Sequence, residues 1–408
     1  MEFAFDARED SLRREVQAFI AEELTAAIRE DIDAGELGVQ FGPIATAFFD
    51  KVRARGWTGV SWPVEYGGQG RTAMDQFIIE EEFGRAGLRI GGAGTGAPAI
   101  LASGTEEQKR AFVPGCIRGD IIFAQGYSEP GCGTDLAGIQ CRATRVGDTY
   151  VIRGQKTFMT SAHVATHIFL MVRTDPASRR HAGLSILLVP IDAAGITIRP
   201  LWTIQNDPVA PRGTTYGENR TNEVFFDDVV VPASCLLGEE GDGWNVAQRG
   251  LSIDRVGARR YLMSVLRDED IVNWLKKDEA PNRALRADPV VRDKVAELWI
   301  EGQVCRLLTM RSMTIARRGG DFVHEASAEK VFAPEHGVRA TEAIGQILGP
   351  HAQLLSSSPE AVEEGVFAHN LLGAFQSTIN HGSVQVMRDQ IARKGLGLPR
   401  PGKRGETV

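Results

Sequence analysis

The 408-residue chain carries 46 Lys and Arg against 53 Asp and Glu, a net charge of −7, with 43% hydrophobic and 24% charged residues. This is ordinary globular composition, long enough for two or three domains. Its mixed signs exclude the basic face that nucleic-acid binding requires, and its longest apolar runs, Ile168–Val172 and Leu184–Ile191, have the length of strands and not of membrane spans.

The opening MEFAFDARED is acidic and lacks the basic and apolar regions of a signal peptide. Five cysteines, Cys116, Cys132, Cys141, Cys235 and Cys305, are scattered without CxxC or Cys/His spacing, and no HExxH occurs. The expectation is a cytoplasmic protein with reduced thiols and no metal site.

Residues 1–120 read as helices. SLRREVQAFIAEEL places Leu12, Val16, Phe19 and Ile20 on one helical face. A loop dense in Gly, Trp and Pro follows at Gly56–Gly70, then a helix over Met74–Arg85. In GTEEQKRAFVPG, Thr105 is placed to cap a helix and Gly115 to end it. Over 121–237 the period shortens. IIFAQGYSE, TYVIRG, HIFLMVRT, LSILLVPI and NEVFFDDVVVP are strands separated by Gly, Asp and Pro, with a surface loop at Trp202–Thr221. Residues 238–408 are helical again, clearest where Val295, Leu298, Trp299, Gln303 and Leu307 recur at three and four. No internal repeat is visible. The order is an N-terminal helical domain, a middle β domain and a C-terminal helical domain, an α+β chain whose interdomain clefts suit a cofactor.

Two segments carry chemistry. Gly126–Gly138, GYSEPGCGTDLAG, is a Gly- and Pro-rich turn that exposes backbone N–H groups, bracketed by the hydroxyls of Ser128 and Thr134. Such groups suit a pyrophosphate and the polar edge of a flavin. Gly154–Ser161, GQKTFMTS, sets Phe158 two residues from Thr160, so that on a strand both face the same way. Alone, either segment reads as a β-turn.

Together with GW…SWPVEYGG, EEEFGRAG, GTEEQKRAFVPGC, VFFDDVVVPASCLLGEEGDGW and the terminal LGLPR, they make the chain resemble the acyl-CoA dehydrogenase family over its whole length. The likeness to bacterial flavin-binding subunits of steroid side-chain acyl-CoA dehydrogenases is carried by WPVEYGGQGRTAMDQ and the Gly126–Gly138 signature. The resemblance implies a C-terminal four-helix bundle and FAD. It implies that Gln125, Tyr127, Ser128, Gly133 and Thr134 line the cofactor and that Phe158 and Thr160 cover its other side, Phe158 standing where the family usually has Trp. Gln346-Ile-Leu-Gly349 resembles the family's Gln-x-x-Gly-Gly motif, which reaches the cofactor of a neighbouring subunit, with Pro350 replacing the last Gly. The family's Arg has no counterpart in Lys277–Arg286. Ser383, beside the C-terminal base position, is a further expected cofactor contact.

The implied reaction is α,β-dehydrogenation of an acyl-CoA thioester, in which a carboxylate removes the α-proton as the β-hydrogen leaves as hydride. The proton is weakly acidic, so the base must be close and desolvated. Where many members have Glu before Gly-Thr, this chain has His381, followed by Gly382 and Ser383. Where the other members place a Glu before Arg on the first helix after the β domain, it has Asp254 and Arg255 in GLSIDRVG. Asp254 is therefore the expected base, with His381 as the alternative and a base-free chain as the third. The resemblance further implies an electron-transferring flavoprotein as acceptor and a homotetramer or heterotetramer. Tyr216 and Arg220 are candidates for the CoA end. A flavin oxidase or monooxygenase on the same fold is the competing chemistry.

Overall fold

The computed structural model describes residues 4–33, 41–90, 96–178, 180–204, 221–254, 257–320 and 324–399. The chain forms two compact units, one of residues 11–254 and one of residues 1–10 with 255–408.

The first unit begins with helices α1 (Ala7–Glu23, whose first four residues belong to the other unit), α2 (Ala26–Asp33), α3 (Pro43–Ala54), α4 (Ala73–Arg85), α5 (Gly96–Ser103) and α6 (Glu106–Arg118). Leu12, Val16 and Phe19 of α1 are buried, while Ile20 is half-buried. Thr105 caps α6 as expected: its side chain accepts from Gln108 N at 3.2 Å and the Gln108 side chain accepts from Thr105 N at 3.1 Å. The helix does not end at Gly115. It runs on to Arg118 and stops at Gly119, whose φ of 86° suits a residue without Cβ. Gly115 serves contact instead, since a Cβ there would lie 2.5 Å from the Ile121 side chain.

The sheet is built from β1 (Phe123–Gly126), β2 (Arg142–Val146), β3 (Thr149–Thr160), β4 (His167–Arg173), β5 (Leu184–Pro190), β6 (Ile196–Pro200), β7 (Thr221–Pro232) and β8 (Leu236–Leu237). Their order is β6-β7-β3-β2-β4-β5-β8, with β1 parallel to β4. β2, β6 and β8 were not evident in the sequence. β4 explains why its run is apolar throughout. Phe169 and Met171 join a core with Ile100 and Val113 of the helices, whereas Ile168, Leu170 and Val172 join a second core with Tyr150, Ile152 and Val224. Helix α7 (Gly243–Asp254) closes the unit, its Val246 and Ala247 in the first of these cores.

The second unit contains α8 (Ala258–Lys276), α9 (Ala280–Ala287), α10 (Pro289–Arg317), α11 (Glu325–Leu348), α12 (Val366–Gly373), α13 (Gln376–Ile379) and α14 (Val384–Gln390). α8, α10 and α11 pack on one another and α14 packs on α11, the bundle expected. On α10 the expected face is divided: Leu298 is buried, but Trp299 is 58% exposed and Leu307 39%. The buried stripe runs instead through Leu298, Gly302, Cys305 and Thr309. Among the described residues, no helix is long and apolar enough to cross a membrane, and no group of three His, Cys, Asp or Glu is placed to hold a metal.

Candidate functional site

Most of the expected cofactor residues lie in the first unit, on two neighbouring segments. β1 delivers Gln125 beside Phe169 of β4. The Tyr127 ring meets the Phe169 ring edge-on at 6.0 Å. The chain then closes a tight turn, Glu129 N donating to Cys132 O at 2.8 Å and Cys132 N to Glu129 O at 3.1 Å. Gly133 and Thr134 emerge exposed from that turn, Gly133 close enough to Ser128 that a Cβ would lie 3.8 Å from the Ser128 hydroxyl. Among the described residues, none accepts a hydrogen bond from the backbone amides of Ser128, Gly133 and Thr134, and none bonds to the hydroxyls of Ser128 and Thr134. A turn with this many uncommitted donors fits the polar edge and phosphates of a flavin dinucleotide.

The second segment is the end of β3. Lys156 pairs with Val224 of β7 and Met159 with Asn222, so three steps on one strand match two on the other. The extra residue is a β-bulge, and Phe158 within it has φ 54°. Met159 is fully buried, whereas Phe158 is 66% exposed and Thr160 is also exposed. Asn222, buried, holds the bulge by donating to Met159 O at 3.1 Å, and its amide lies 3.1 Å from His163 Nδ1. The bulge thus presents an aromatic face to solvent at the cost of a backbone conformation that non-glycine residues seldom adopt.

The two segments are joined beneath the surface. Thr157 N donates to Ser128 O at 2.9 Å. Lys156, fully buried, donates to Tyr127 O at 2.9 Å and to Glu129 Oε1 at 2.8 Å. Sequence reasoning passed over both Lys156 and Glu129, although each lies inside a quoted motif. Lys156 sits between Gln155 and Thr157 in GQKTFMTS, a polar setting that gives no sign of its burial. Nearby, burial pushes the Cys141 thiol up to about 11, so it stays neutral.

Asp254 is the last residue of α7. Its side chain, Arg255, Tyr216 and Arg220 lie outside what the structure describes.

In the second unit, Gln346 and Gly349 sit exposed where α11 ends, Gly349 with φ 57°. The Gln346 side-chain oxygen, Oε1, accepts a hydrogen bond from Lys294 of α10. His381 and Gly382 both have positive φ, 50° and 91°, in the turn before α14. Ser383 is buried and caps α14, its hydroxyl accepting from Val386 N at 3.4 Å. Lys330 of α11, also buried, donates to Ser377 O and, at 3.3 Å, to Asn380 Oδ1, fixing the chain just ahead of His381. None of these residues lines the cavity of about 280 Å³ between α8 and α10, bordered by Val265, Asp268, Leu298 and Trp299.

Comparison with known proteins gives this geometry a context. The chain matches the descriptions "Acyl-CoA dehydrogenase, N-terminal domain" over residues 6–120, "middle domain" over 124–229 and "C-terminal domain" over 241–396. It is 33% identical to the acyl-CoA dehydrogenase FadE26 of Mycobacterium tuberculosis, the alignment covering 98% of this chain and 99% of that protein. Among solved structures it is similar to the Tcur3481-Tcur3483 steroid ACAD, with TM-score 0.81, 31% identity, and 98% of this chain and 100% of that one covered. It is equally similar to the ChsE4-ChsE5 complex from Mycobacterium tuberculosis, with TM-score 0.80, 31% identity and the same coverage.

Proposed function

The chain belongs to the acyl-CoA dehydrogenase family, and on that premise we propose that it uses FAD to convert an acyl-CoA thioester to the trans-2-enoyl-CoA and passes the electrons to an electron-transferring flavoprotein. The observation that carries the FAD reading is the pairing of a turn with uncommitted donors at Ser128, Gly133 and Thr134 with a bulge that turns Phe158 outward. In this reading Gln125, Tyr127 and those three residues hold the polar edge and phosphates, and Phe158 and Thr160 cover the opposite side. Bound FAD supplies the acceptor for the hydride. Gln346 and Gly349 are proposed to reach the flavin of a neighbouring subunit, and Ser383 is a further proposed cofactor contact. Asp254 takes the α-proton: a carboxylate desolvated against an acyl chain gains basicity from its ordinary value near 3.9. His381 is the alternative base.

A second reading is favoured by a specific observation. Trp299 and Ile300 of α10 are each about 60% exposed, as are Phe375 and Ile379 near α13, individual apolar side chains that a second subunit would cover. Two of the structural neighbours carry two-chain names. We propose that this chain works as the flavin-binding member of a two-chain assembly, probed by co-expression with a second family member and determination of the mass of the complex.

The primary test is anaerobic bleaching of the flavin absorbance of the purified chain against linear, branched, aromatic and steroid-derived acyl-CoAs. Bleaching by one class supports a self-sufficient dehydrogenase and names its substrate. Bleaching that appears only with the second chain supports the assembly. Rapid recovery of the absorbance in O₂ would instead favour an oxidase.

A further inference from the structure

We propose that Lys156 and Glu129 form a buried positioning pair that sets the shape of the flavin loop before flavin binds, an inference that rests on the FAD reading above. The two side chains are 0% and 6% exposed, and the ammonium lies 2.8 Å from the carboxylate. Each also holds backbone. Lys156 Nζ donates to Tyr127 O at 2.9 Å, at the entry to the loop. The Glu129 oxygens accept from Gln140 N at 2.7 Å and from Cys141 N at 3.0 Å, at its exit. Arg173 secures the same exit by donating to Ala137 O at 2.8 Å and Ile139 O at 3.0 Å. Entry and exit are therefore clamped by one ion pair, while in the stretch between them the Gly133 and Thr134 amides bond to none of the described residues.

The choice of an ion pair is informative. Burying two charges costs several kcal/mol of desolvation, and apolar residues of the same volume commonly give equal or greater stability. An apolar pair would fill the space but could not fix where the Tyr127 carbonyl and the Gln140 and Cys141 amides sit. Directional hydrogen bonds to ionised groups do so. Neither side chain reaches the loop surface, so the pair acts on flavin through the backbone it holds and not by contact.

The experiment uses the full chain, stripped of FAD and titrated with FAD, as wild type, Lys156→Met and Lys156→Met/Glu129→Gln. The single variant leaves a buried carboxylate without its partner and melts well below wild type. The double variant removes both charges and recovers most of that melting temperature. Both bind FAD about tenfold or more weakly, and the visible circular dichroism of the bound flavin changes. Recovery of FAD affinity together with melting temperature in the double variant would show a pair that only stabilises the fold, and would overturn the proposal. Amide hydrogen exchange on FAD-free wild type provides an arm independent of variant folding. The Gln140, Cys141 and Thr157 amides are expected to be protected before FAD is added, and protection that arises only afterwards overturns the proposal. Failure of wild type to take up FAD overturns the flavin reading and this proposal with it, whereas normal uptake by both wild type and double variant overturns this proposal alone.

Discussion

Phe158 occupies a conformation that costs energy and buries little surface. A left-handed φ costs a non-glycine residue roughly 1–2 kcal/mol, and a side chain 66% exposed recovers only a fraction of that by burial. Phe158→Gly relieves the strain but adds the roughly 0.5–1 kcal/mol entropy cost of ordering glycine. The two effects partly cancel. FAD-free stability should stay within about 1 kcal/mol of wild type in denaturant titration, while FAD affinity falls because the aromatic face is gone. A large loss of stability instead would mean that Phe158 is held for packing. The base is tested at the same scale. Asp254→Asn should leave FAD bound and reduce acyl-CoA-driven flavin reduction by about three orders of magnitude or more; undiminished reduction would remove Asp254 from the role. His381→Ala should change the rate only modestly. Complete loss of reduction with FAD retained would transfer the role to His381.

At the level of elements, α6 shows how a cap does more than start a helix. The Gln108 side chain completes the box with Thr105 and also donates to Ser234 O at 2.9 Å and Leu236 O at 2.8 Å, tying the helix to the end of the sheet. Thr105→Ala removes one cap and should cost about 1 kcal/mol. Gln108→Leu leaves both carbonyls without that donor and should cost about 2–3 kcal/mol in thermal or denaturant unfolding. Equal losses in the two variants would refute the tie to the sheet. The cap was legible because Thr105 and Gln108 are three residues apart. The tie was not, because its acceptors are backbone atoms more than 120 residues away. The same contrast runs through the sheet. β4 and β5 were legible from continuous apolar runs. β2 and β6 were not: Ala143 is the one buried residue of β2, and β6 has none. β2 offers one small apolar residue on its buried face, and β6 alternates only over Ile196-Thr197-Ile198, whose two Ile are half-buried against the core, too short a pattern to read as a strand. On α10 the buried stripe uses Gly302, Cys305 and Thr309, residues that a search for large apolar side chains passes over.

Across the whole molecule, what the sequence left unread is mainly which charges are buried together. Lys156 and Glu129 are 27 residues apart, and His336 meets partners on two other helices. The His336 ring is fully buried, with Nε2 2.8 Å from Asp268 Oδ2 of α8 and Nδ1 2.8 Å from Glu301 Oε2 of α10, while Arg339 of α11 neutralises Glu301 from the outside. A neutral imidazole has one N–H and can satisfy one carboxylate; only the imidazolium donates to both. Burial opposes that charge, but the Asp268 and Glu301 carboxylates outweigh it and hold the ring above its ordinary 6.5. A folded-state value above the unfolded one contributes stability that is complete below about pH 6.5 and is lost as pH rises through the folded value. The three helices joined by this ring, α8, α10 and α11, should therefore be most firmly held on the acidic side of neutrality. Melting of wild type should fall as pH is raised from 6 towards 9. His336→Gln should lose about 3–5 kcal/mol at pH 6, because it leaves the buried Asp268 carboxylate without its cation, Glu301 keeping Arg339. Its melting temperature should then change little over the same interval. A wild type whose melting is level from pH 6 to 9, or a variant that keeps the wild-type slope, would show that the ring is neutral and that one of its two carboxylates carries the proton instead.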